Sequence, residues 1–364
     1  MHPSLTPEAL AELRKTRTYP AVTVLLPTHR REPDNAQDPV RLRNLVAEAK
    51  ERLNADPAVT KEQRAEVAGQ LDRAVADVDL VHAEDGLVVF AAPGEHQVWS
   101  IARTVPSRVV LSDTFLTRNL VAARAAERPY WVLAVSADRV TLWDGTPERV
   151  GEHTADGFPL TRSLDDPDAE RKERIGDLPS TFRDERTRTF LRAADQAVSA
   201  VLDAHPRPLF VAGEAAALSL LDDIGTVTKK ATRVPHGGLA DGPADAVGQA
   251  MAPLVADREK AELDALLKEL DTARGRRQFA AGLDEVWQNV TADRVRLLAV
   301  DDTFRQTVRD NGGHLVPATA DDLDAVEDIV DEIVERALDT GAQVRFVPEG
   351  TLTEQGGIAC ALRY

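Results

Sequence analysis

The densest group of polar side chains that could bind a ligand follows the first apolar segment of the chain. Its members, on a short loop and on the helix predicted after it, are Thr28, His29, Arg30, Arg31, Arg41, Arg43 and Asn44. A loop between a strand and a helix N-terminus binds anions well, because free N–H groups and the helix dipole both favour negative charge there. Arginine adds bidentate contacts to phosphate. The pattern therefore predicts a phosphate or RNA-backbone site.

A structural interpretation of the same loop is also open. In it, the arginines pair with nearby acidic residues and serve only to hold the loop in place. The pairs that the spacing allows join Arg30, Arg41 and Arg43 to Asp34, Asp38 and Glu48. Spacing alone does not choose between the two interpretations.

A second basic group lies in a long polar stretch, residues 146–182, and on the helix predicted over residues 182–204. The candidates for contact with RNA or another anion in this group are Arg171, Lys172, Arg174, Arg183 and Arg186. Acidic residues are interleaved with them, so the alternative is a solvated charged face. Because the charges of the stretch nearly cancel, we expect it to be mobile.

Motifs that carry catalysis or hold a cofactor are absent from the sequence. There is no glycine-rich phosphate loop, no G-x-G-x-x-G and no G-x-S-x-G. The histidines are scattered without an H-x-x-x-H pair, and the single cysteine, Cys360, is expected to be a buried small side chain. We therefore predict no catalytic residue, no metal site and no cofactor. Asp144 is the one carboxylate considered for a metal-dependent nuclease or hydrolase, which would need further carboxylates beside it.

Composition narrows the class of protein. Hydrophobic residues make up 43% of the 364 residues, which is enough for packed cores. No apolar run reaches the ~18 residues that a membrane span needs, and the first residues lack the apolar segment of a secretion signal, so we expect a cytoplasmic protein. The net charge of −17 argues against a non-specific DNA binder. It leaves room for RNA contact through a local basic surface.

Strands and helices alternate along most of the chain, which predicts an α/β fold with helices covering mixed sheets. Breaks in the pattern place three domains at residues 1–127, 128–240 and 241–364. The main predicted strands cover residues 21–26, 87–91, 97–102, 109–111, 130–135, 139–143, 208–212, 231–234, 294–300, 344–347 and 357–362. The main predicted helices cover residues 7–15, 38–53, 61–78, 182–204, 215–224, 244–273, 279–290 and 321–338. Thr6 and Asp38 are the predicted N-caps of the first two helices.

Two signatures carry a resemblance to a known family. The chain closes with GGIACALRY, residues 356–364, which resembles the end of the third domain of archaeo-eukaryotic class 1 release factors and Pelota rescue factors. Near the start, VTVLLPTHR and DPVRLRNL, residues 22–30 and 38–45, resemble the bacterial archaeo-eukaryotic release factor family. The resemblance extends over essentially the whole chain and implies a ribosome-directed protein.

The resemblance also implies the type of each domain. The first would be a mixed α/β module, and the second a ribonuclease-H-like release-factor domain. The third would be an α/β sandwich of the kink-turn-binding ribosomal-protein type. The expected partners are the ribosome or its ribosomal or transfer RNA, together with a translational GTPase, but neither DNA nor a membrane. The oligomeric state is not predicted.

One departure from the family pattern bears on mechanism. Release factors of this kind hydrolyse peptidyl-tRNA with a Gly-Gly-Gln loop in the second domain, which would fall near residues 145–182. The glycines there, Gly145, Gly151, Gly157 and Gly176, are isolated, and the pair at residues 237–238 is followed by leucine. We therefore predict no release activity by that route.

The function predicted from these observations is that of a ribosome-associated accessory factor in translation rescue, quality control or stress. Two alternatives stay open. One is a metal-dependent nuclease or hydrolase that uses the central domain. The other is a small-molecule or anion-binding stress protein with no ribosomal role.

Overall fold

The computed structural model describes residues 5–162, 185–319, 322 and 325–364. These form two compact units, Met1–Ala126 with Ala265–Tyr364, and Glu127–Asp264. Helices cover β-sheets in both, so the predicted α/β fold class is confirmed. The finer division into three domains stays a prediction. No helix within the described ranges is both long and apolar enough to cross a membrane.

The N-terminal part of the first unit is built on an antiparallel sheet of order β3-β2-β1-β4. Its strands are β1 (Ala21–Pro27), β2 (Gly86–Ala92), β3 (Glu95–Ile101) and β4 (Arg108–Ser112). Its helices are α1 (Pro7–Leu13), α2 (Asp38–Ala55), α3 (Lys61–Asp77) and α4 (Arg118–Glu127). The predicted cap of α1 is confirmed, since Thr6 Oγ1 accepts from the Ala9 amide. Helix α4 was not expected from the sequence.

Both faces of this sheet are covered, because side chains of a strand alternate between its faces. Val22, Val24 and Leu26 of β1 pack against α2 and α3, and Ala21 and Leu25 pack on the opposite face with α1 and α4. Strand β1 is therefore buried along almost its whole length. It ends at the loop that carries the predicted anion site.

The C-terminal part of the first unit is a mixed sheet of order β11-β16-β12-β15. Its strands are β11 (Phe279–Ala281), β12 (Val295–Asp301), β15 (Gln343–Val347) and β16 (Ile358–Leu362), and a separate hairpin is formed by β13 (Val308–Asn311) and β14 (His314–Pro317). The helices here are the end of α7 (Ala244–Gly275), α8 (Leu283–Thr291) and α9 (Ile329–Asp339). The predicted α/β sandwich and its closing strand are confirmed.

Two predicted helices of this part have wrong starts. Residues 279–281 form β11, which pairs with β16, and α8 begins only after Gly282, whose φ of +76° breaks the helix. The predicted helix over residues 321–338 begins at Ile329. Val326 instead exchanges two backbone hydrogen bonds with Val308 of the hairpin. Backbone groups engaged in such a bridge cannot take part in a helix.

The second unit contains a sheet of order β10-β9-β5-β6-β7, with β8 paired to β6. The strands are β5 (Tyr130–Val135), β6 (Arg139–Gly145), β7 (Val150–His153), β8 (Leu160–Thr161), β9 (Leu209–Gly213) and β10 (Thr232–Val234). The first three are antiparallel, whereas β5, β9 and β10 are parallel. This order and these directions are those of the ribonuclease-H-like fold, which confirms the prediction for the central part of the chain.

Helices cover both faces of this second sheet. Helices α5 (Glu185–Ala204) and α6 (Ala215–Ile224) pack on one face, and Val247 and Met251 at the start of α7 pack on the other. Strand β7 corrects the expectation that residues 146–182 are a mobile loop throughout, because residues 150–153 pair with β6. Residues 163–184 lie outside the described residues.

A buried carboxylate joins α5 to the loop after α6. The oxygens of Asp195 accept hydrogen bonds from the amides and hydroxyls of both Thr226 and Thr228, at 2.5 to 2.9 Å. Burial alone would raise the pKa of Asp195, but these four bonds outweigh burial and lower it. The ionised carboxylate is thus matched to its site, since it has a donor for each acceptor position.

Replacing Asp195 by alanine is expected to lower the free energy of unfolding of the second unit by about 2 to 3 kcal/mol, because buried donors lose a charged acceptor. Urea denaturation at pH 7 measures the loss. Asp203→Ala, an exposed position of the same helix, is the matched control and should change stability by less than about 0.5 kcal/mol. Equal effects of the two substitutions would contradict this account of Asp195.

Candidate nucleic-acid interface

The loop after β1 is anchored by Thr28, which is buried. Its hydroxyl donates to the carbonyl of Glu84 at 2.8 Å, and its amide donates to the carbonyl of Asp85 at 3.1 Å. Thr28 thereby fastens the loop to the segment that leads into β2. Its hydroxyl is engaged within the protein.

Asp38 is the central residue of the loop. Its buried carboxylate accepts from the His29 amide at 2.9 Å and from Arg41 Nη1 at 2.9 Å, and His29 Nδ1 lies 3.0 Å away. The prediction that Asp38 caps α2 is wrong. Gln37 occupies the N-cap position, and within the described residues its side chain forms no capping hydrogen bond. A carboxylate of the protein itself therefore supplies negative charge to the His29 amide.

Arg30 and Arg43 have partners that local spacing did not indicate. Arg30 forms a bidentate pair with Asp85, with Nε and Nη2 at 2.8 and 2.6 Å from the two carboxylate oxygens. Arg43 Nε donates to the carbonyl of Pro39 at 3.2 Å. Of the pairs that the structural interpretation allowed, the one between Arg41 and Asp38 is present.

Three predicted residues are left facing solvent. Arg31, Arg43 and Asn44 are exposed. Within the described ranges, Arg43 has no carboxylate partner, and the side chains of Arg31 and Asn44 form no hydrogen bond or ion pair. We call these three residues the β1–α2 surface. The other members of the predicted site, Thr28, His29, Arg30 and Arg41, hold the loop that carries it.

Of the second basic group, only Arg186 lies within the described residues, whereas Arg171, Lys172, Arg174 and Arg183 lie outside them. Arg186 is exposed near the start of α5. Its neighbours Arg188 and Arg192 both pair with Glu185, at 3.8 and 3.1 Å. Glu185 thus engages two arginines, whereas Arg186 forms no ion pair with any residue that the structure describes.

Asp144, the carboxylate considered for hydrolysis, lies near the end of β6. It accepts from Arg207 Nη1 at 2.7 Å, and the same guanidinium lies over the ring of Trp131, 4.8 Å from its centroid. Across the described part of the chain, no group of three or more His, Cys, Asp or Glu residues could hold a metal ion. The observed role of Asp144 is therefore an ion pair.

Cys360 lies on the central strand β16 and is fully buried. Burial raises the pKa of its thiol to about 12, although a backbone hydrogen bond from Ala280 acts in the opposite direction. The thiol is protonated at neutral pH and packs as a small apolar side chain.

A further basic surface was missed from the sequence. It lies at the end of α7, where Arg274, Gly275, Arg276 and Arg277 are consecutive. This run of three arginines in four residues is a visible signal, but the strands that bring three more arginines beside it follow only from the fold. We call it the α7-end surface; its members are Arg274, Arg276, Arg277, Arg294, Arg296 and Arg363.

Comparison with known proteins gives one family match. The model of bacterial archaeo-eukaryotic release factor family 3 matches residues 129–294. This segment begins one residue before β5 and ends just before β12, so it contains the ribonuclease-H-like sheet. No curated protein matches the chain.

Solved structures similar to this chain include archaeal and eukaryotic proteins. An archaeal translation termination factor, aRF1, is 19% identical, with 98% of this chain and 96% of that chain covered and a TM-score of 0.27. Pelota of Archaeoglobus fulgidus is 17% identical, with 76% and 79% covered and a TM-score of 0.33. Dom34 of S. cerevisiae, a translation termination-like factor in RNA quality control, is 12% identical, with 74% of each chain covered and a TM-score of 0.39.

Proposed function

We propose that this chain, whose residues 129–294 match the model of bacterial archaeo-eukaryotic release factor family 3, acts on the ribosome as an accessory factor in translation rescue or quality control. The observation that carries the proposal is the family match over residues 129–294, on a chain that contains no Gly-Gly-Gln sequence. The factor would bind ribosomal or transfer RNA in the cytoplasm without hydrolysing peptidyl-tRNA through that loop.

RNA contact by a chain of net charge −17 has to be local. The β1–α2 surface supports such contact because the guanidinium groups of Arg31 and Arg43 have no carboxylate partner among the described residues. Asn44 beside them can donate or accept hydrogen bonds. The bonds of Thr28, Arg30 and Arg41 hold this loop in one conformation, which lowers the entropy cost of binding.

The basic residues before and at the start of α5 are a second proposed contact. Arg171, Lys172, Arg174, Arg183 and Arg186 are the positions concerned. A translational GTPase is a further proposed partner, which the family resemblance implies. A pull-down of the tagged protein from growing and from starved cells tests both the GTPase and the condition under which the factor is recruited.

Co-sedimentation with purified ribosomes tests the proposed function directly. We expect the full-length protein to pellet with ribosomes at low salt and to dissociate steeply as KCl rises, because contacts to phosphate release counterions. Failure to co-sediment at low salt, with both vacant and stalled ribosomes, would exclude the ribosomal role. Release of peptide from a stalled complex would instead contradict the proposed lack of hydrolysis.

The double substitution Arg31→Glu with Arg43→Glu is expected to weaken ribosome binding roughly tenfold or more at about 0.1 M KCl. The reason is the loss of two phosphate contacts. This loss should also make the negative slope of log affinity against log salt less steep by roughly 1.4 to 1.8. Arg73→Glu with Arg345→Glu changes the net charge equally at two other exposed positions and is the control. If both double variants weaken binding equally, the β1–α2 surface is not the contact.

A further inference from the structure

Three arginines of the α7-end surface, Arg276, Arg296 and Arg363, line a depression in the C-terminal part of the first unit. The depression has a volume of about 490 Å³. Its polar lining consists of Glu269, Thr272, Arg276, Gln278, Arg296 and Arg363. These residues come from the end of α7 and the loop after it, the start of β12 and the segment after β16. The fold thus gathers arginines from three separate segments around one opening.

The charge of this surface is opposite to that of the whole chain. Among the side chains of these segments, six arginines stand against three carboxylates, those of Glu269, Asp271 and Asp293, which leaves an excess of three positive side-chain charges. The net charge of the chain is −17. A basic surface on an acidic protein favours an anionic partner at that surface alone.

Several guanidinium groups of the surface retain free donors. Arg276 and Arg277 are exposed, and their side chains have no hydrogen-bond or ion-pair partner among the described residues. Arg363 donates from Nε to the carbonyl of Val295 at 3.1 Å and from Nη2 to the carbonyl of Thr340 at 2.5 Å, and it has no carboxylate partner within the described ranges. Two of the six arginines have a carboxylate partner: Arg296 pairs with Glu269 at 2.6 Å, and Arg274 Nη1 lies 4.0 Å from Asp271. Most of the positive charge is therefore left for a ligand to neutralise.

Aromatic rings lie beneath two of the arginines. The guanidinium of Arg274 is 4.6 Å from the centroid of the Phe279 ring, and that of Arg294 is 5.5 Å from the centroid of the Tyr364 ring. Tyr364 is 69% exposed. Rings and guanidinium planes of this kind are the groups on which proteins stack bases of single-stranded nucleic acid.

Arg277 occupies a backbone position that favours glycine. Its φ is +59°, and it follows the last turn of α7. The amide of Arg277 donates to Arg274 O at 3.1 Å and that of Gln278 donates to Ala273 O at 2.9 Å, which is the Schellman ending of a helix. Glycine is the residue usually found there, because a side chain is strained at this φ. An arginine at this position is therefore not explained by the stability of the turn.

We infer that the α7-end surface binds the phosphate–ribose backbone of RNA, with the depression receiving one nucleotide. This inference rests on the proposed function, which it deepens by adding a contact on the C-terminal part of the chain. Guanidinium forks match phosphate oxygens in bidentate geometry. A depression of this volume lies within the range that takes up small ligands. The carboxylates of an acidic protein segment could pair with the arginines, but such a segment would not account for the depression or for the rings beneath Arg274 and Arg294.

Fluorescence anisotropy with a short labelled RNA hairpin tests the inference on the full chain. The double variant Arg276→Glu with Arg277→Glu should bind at least roughly tenfold more weakly than the unchanged protein at about 0.1 M KCl. The negative slope of log affinity against log salt should become less steep by roughly 1.4 to 1.8. Arg73→Glu with Arg345→Glu is the control of equal charge change and should keep most of the affinity. Equal losses in the two variants overturn the inference. So does competition by polyglutamate as effective as that by unlabelled RNA.

Arg277→Gly separates binding from folding. Because glycine adopts this φ without strain, the variant should unfold at the same or a slightly higher urea concentration, yet bind the hairpin several-fold more weakly. Unchanged RNA affinity in this variant also counts against the surface.

Ribosome co-sedimentation of the same variants distinguishes the proposed ribosomal function from the inferred binding of RNA by the α7-end surface. Hairpin binding through Arg276 and Arg277 without ribosome binding overturns only the proposed function. Ribosome binding that is indifferent to both substitutions overturns only the inference.

Discussion

Replacing Arg118 by methionine is expected to lower the free energy of unfolding of the first unit by about 3 to 5 kcal/mol, which is the usual cost of breaking a buried ion pair by removing one partner. Arg118 begins α4 and is 2% exposed. Its Nη1 donates to the carbonyl of Phe304 at 2.8 Å, and its Nη2 lies 3.3 Å from a carboxylate oxygen of Asp328. Methionine fills a similar volume but leaves that buried carboxylate short of a partner.

The contacts of Arg118 lie within a larger group of charges that joins the N-terminal and C-terminal parts of the first unit. Arg108 contacts both Glu327 and Asp328, Arg103 pairs with Asp302, and the Arg118 amide donates to Asp331 at 2.7 Å. Nε and Nη2 of Arg118 are buried without a hydrogen-bond partner in the described part of the chain. The guanidinium is thus held mainly by its attraction to nearby carboxylates, because its hydrogen bonding is incomplete. Its removal leaves the buried charge of Asp328 with less compensation.

A double-mutant cycle with Asp328→Asn measures this dependence. Asparagine removes the uncompensated charge, so the double variant should be more stable than the sum of the two single losses predicts, by 1 kcal/mol or more. Arg124→Met, at a more exposed position of the same helix, is the control and should cost less than about 0.5 kcal/mol. A loss below about 1 kcal/mol for Arg118→Met, or strict additivity in the cycle, contradicts the account.

The residues of α4 show why part of the fold could not be predicted from the sequence. Strand β1 and the β2–β3 hairpin follow from local apolar runs and a Pro93-Gly94 turn, and the structure confirms them. Helix α4 buries Arg118 and Asn119 together with its apolar residues. Because these polar residues are buried, the sequence of α4 does not alternate between an apolar buried face and a polar exposed face. The amphipathic pattern by which a helix is predicted is therefore absent. Strand β11 was missed because three residues that pair with a distant strand resemble the start of the helix that follows.

The candidate site, like the fold, was predictable only where the residues concerned are close together in the sequence. Residue types and spacing located the loop after β1 and allowed the pair between Arg41 and Asp38, which are three residues apart. They could not indicate that Arg30 pairs with Asp85, 55 residues further along the chain. They also could not bring Arg296 and Arg363 beside Arg276, because that requires the pairing of β12 and β16. Spacing along the sequence identifies groups of polar residues, whereas the pairing of strands in the sheet determines which of these residues lie next to one another.

Two buried carboxyl groups of α9 should make the stability of the first unit depend on pH. Burial, reinforced by the charge of Asp328, raises the pKa of Asp331 to about 7. Burial, reinforced by the charge of Asp331, raises the pKa of Glu335 to about 9, although the Thr117 hydroxyl donates to Glu335 at 2.8 Å. In the unfolded chain both groups ionise near pH 4. The folded state therefore binds more protons than the unfolded state at neutral pH.

The sign of the effect follows from this difference in bound protons. A carboxyl whose pKa is raised by folding stabilises the protein where it is protonated, and this stabilisation declines as pH rises from the unfolded pKa to the folded pKa. We expect the free energy of unfolding of the first unit to fall between about pH 4 and pH 9. Each group contributes up to about 1.4 kcal/mol per pH unit within its own window. Urea denaturation at a series of pH values measures the decline.

Glu335→Gln should remove the larger part of this decline, because the amide is uncharged at every pH and its oxygen can still accept from Thr117. At pH 8 we expect the variant to be more stable than the unchanged protein by about 2 kcal/mol or more, and at pH 5 to differ little. Glu332→Gln, on the exposed side of α9 where Glu332 pairs with Arg336, should change stability by less than about 1 kcal/mol at both pH values. A Glu335→Gln variant that loses the same stability at pH 5 and pH 8 would show that the carboxylate stays ionised in the folded protein. In that case the charge of Arg14, which favours the ionised form of Glu335, would outweigh the effect of burial on the pKa of Glu335.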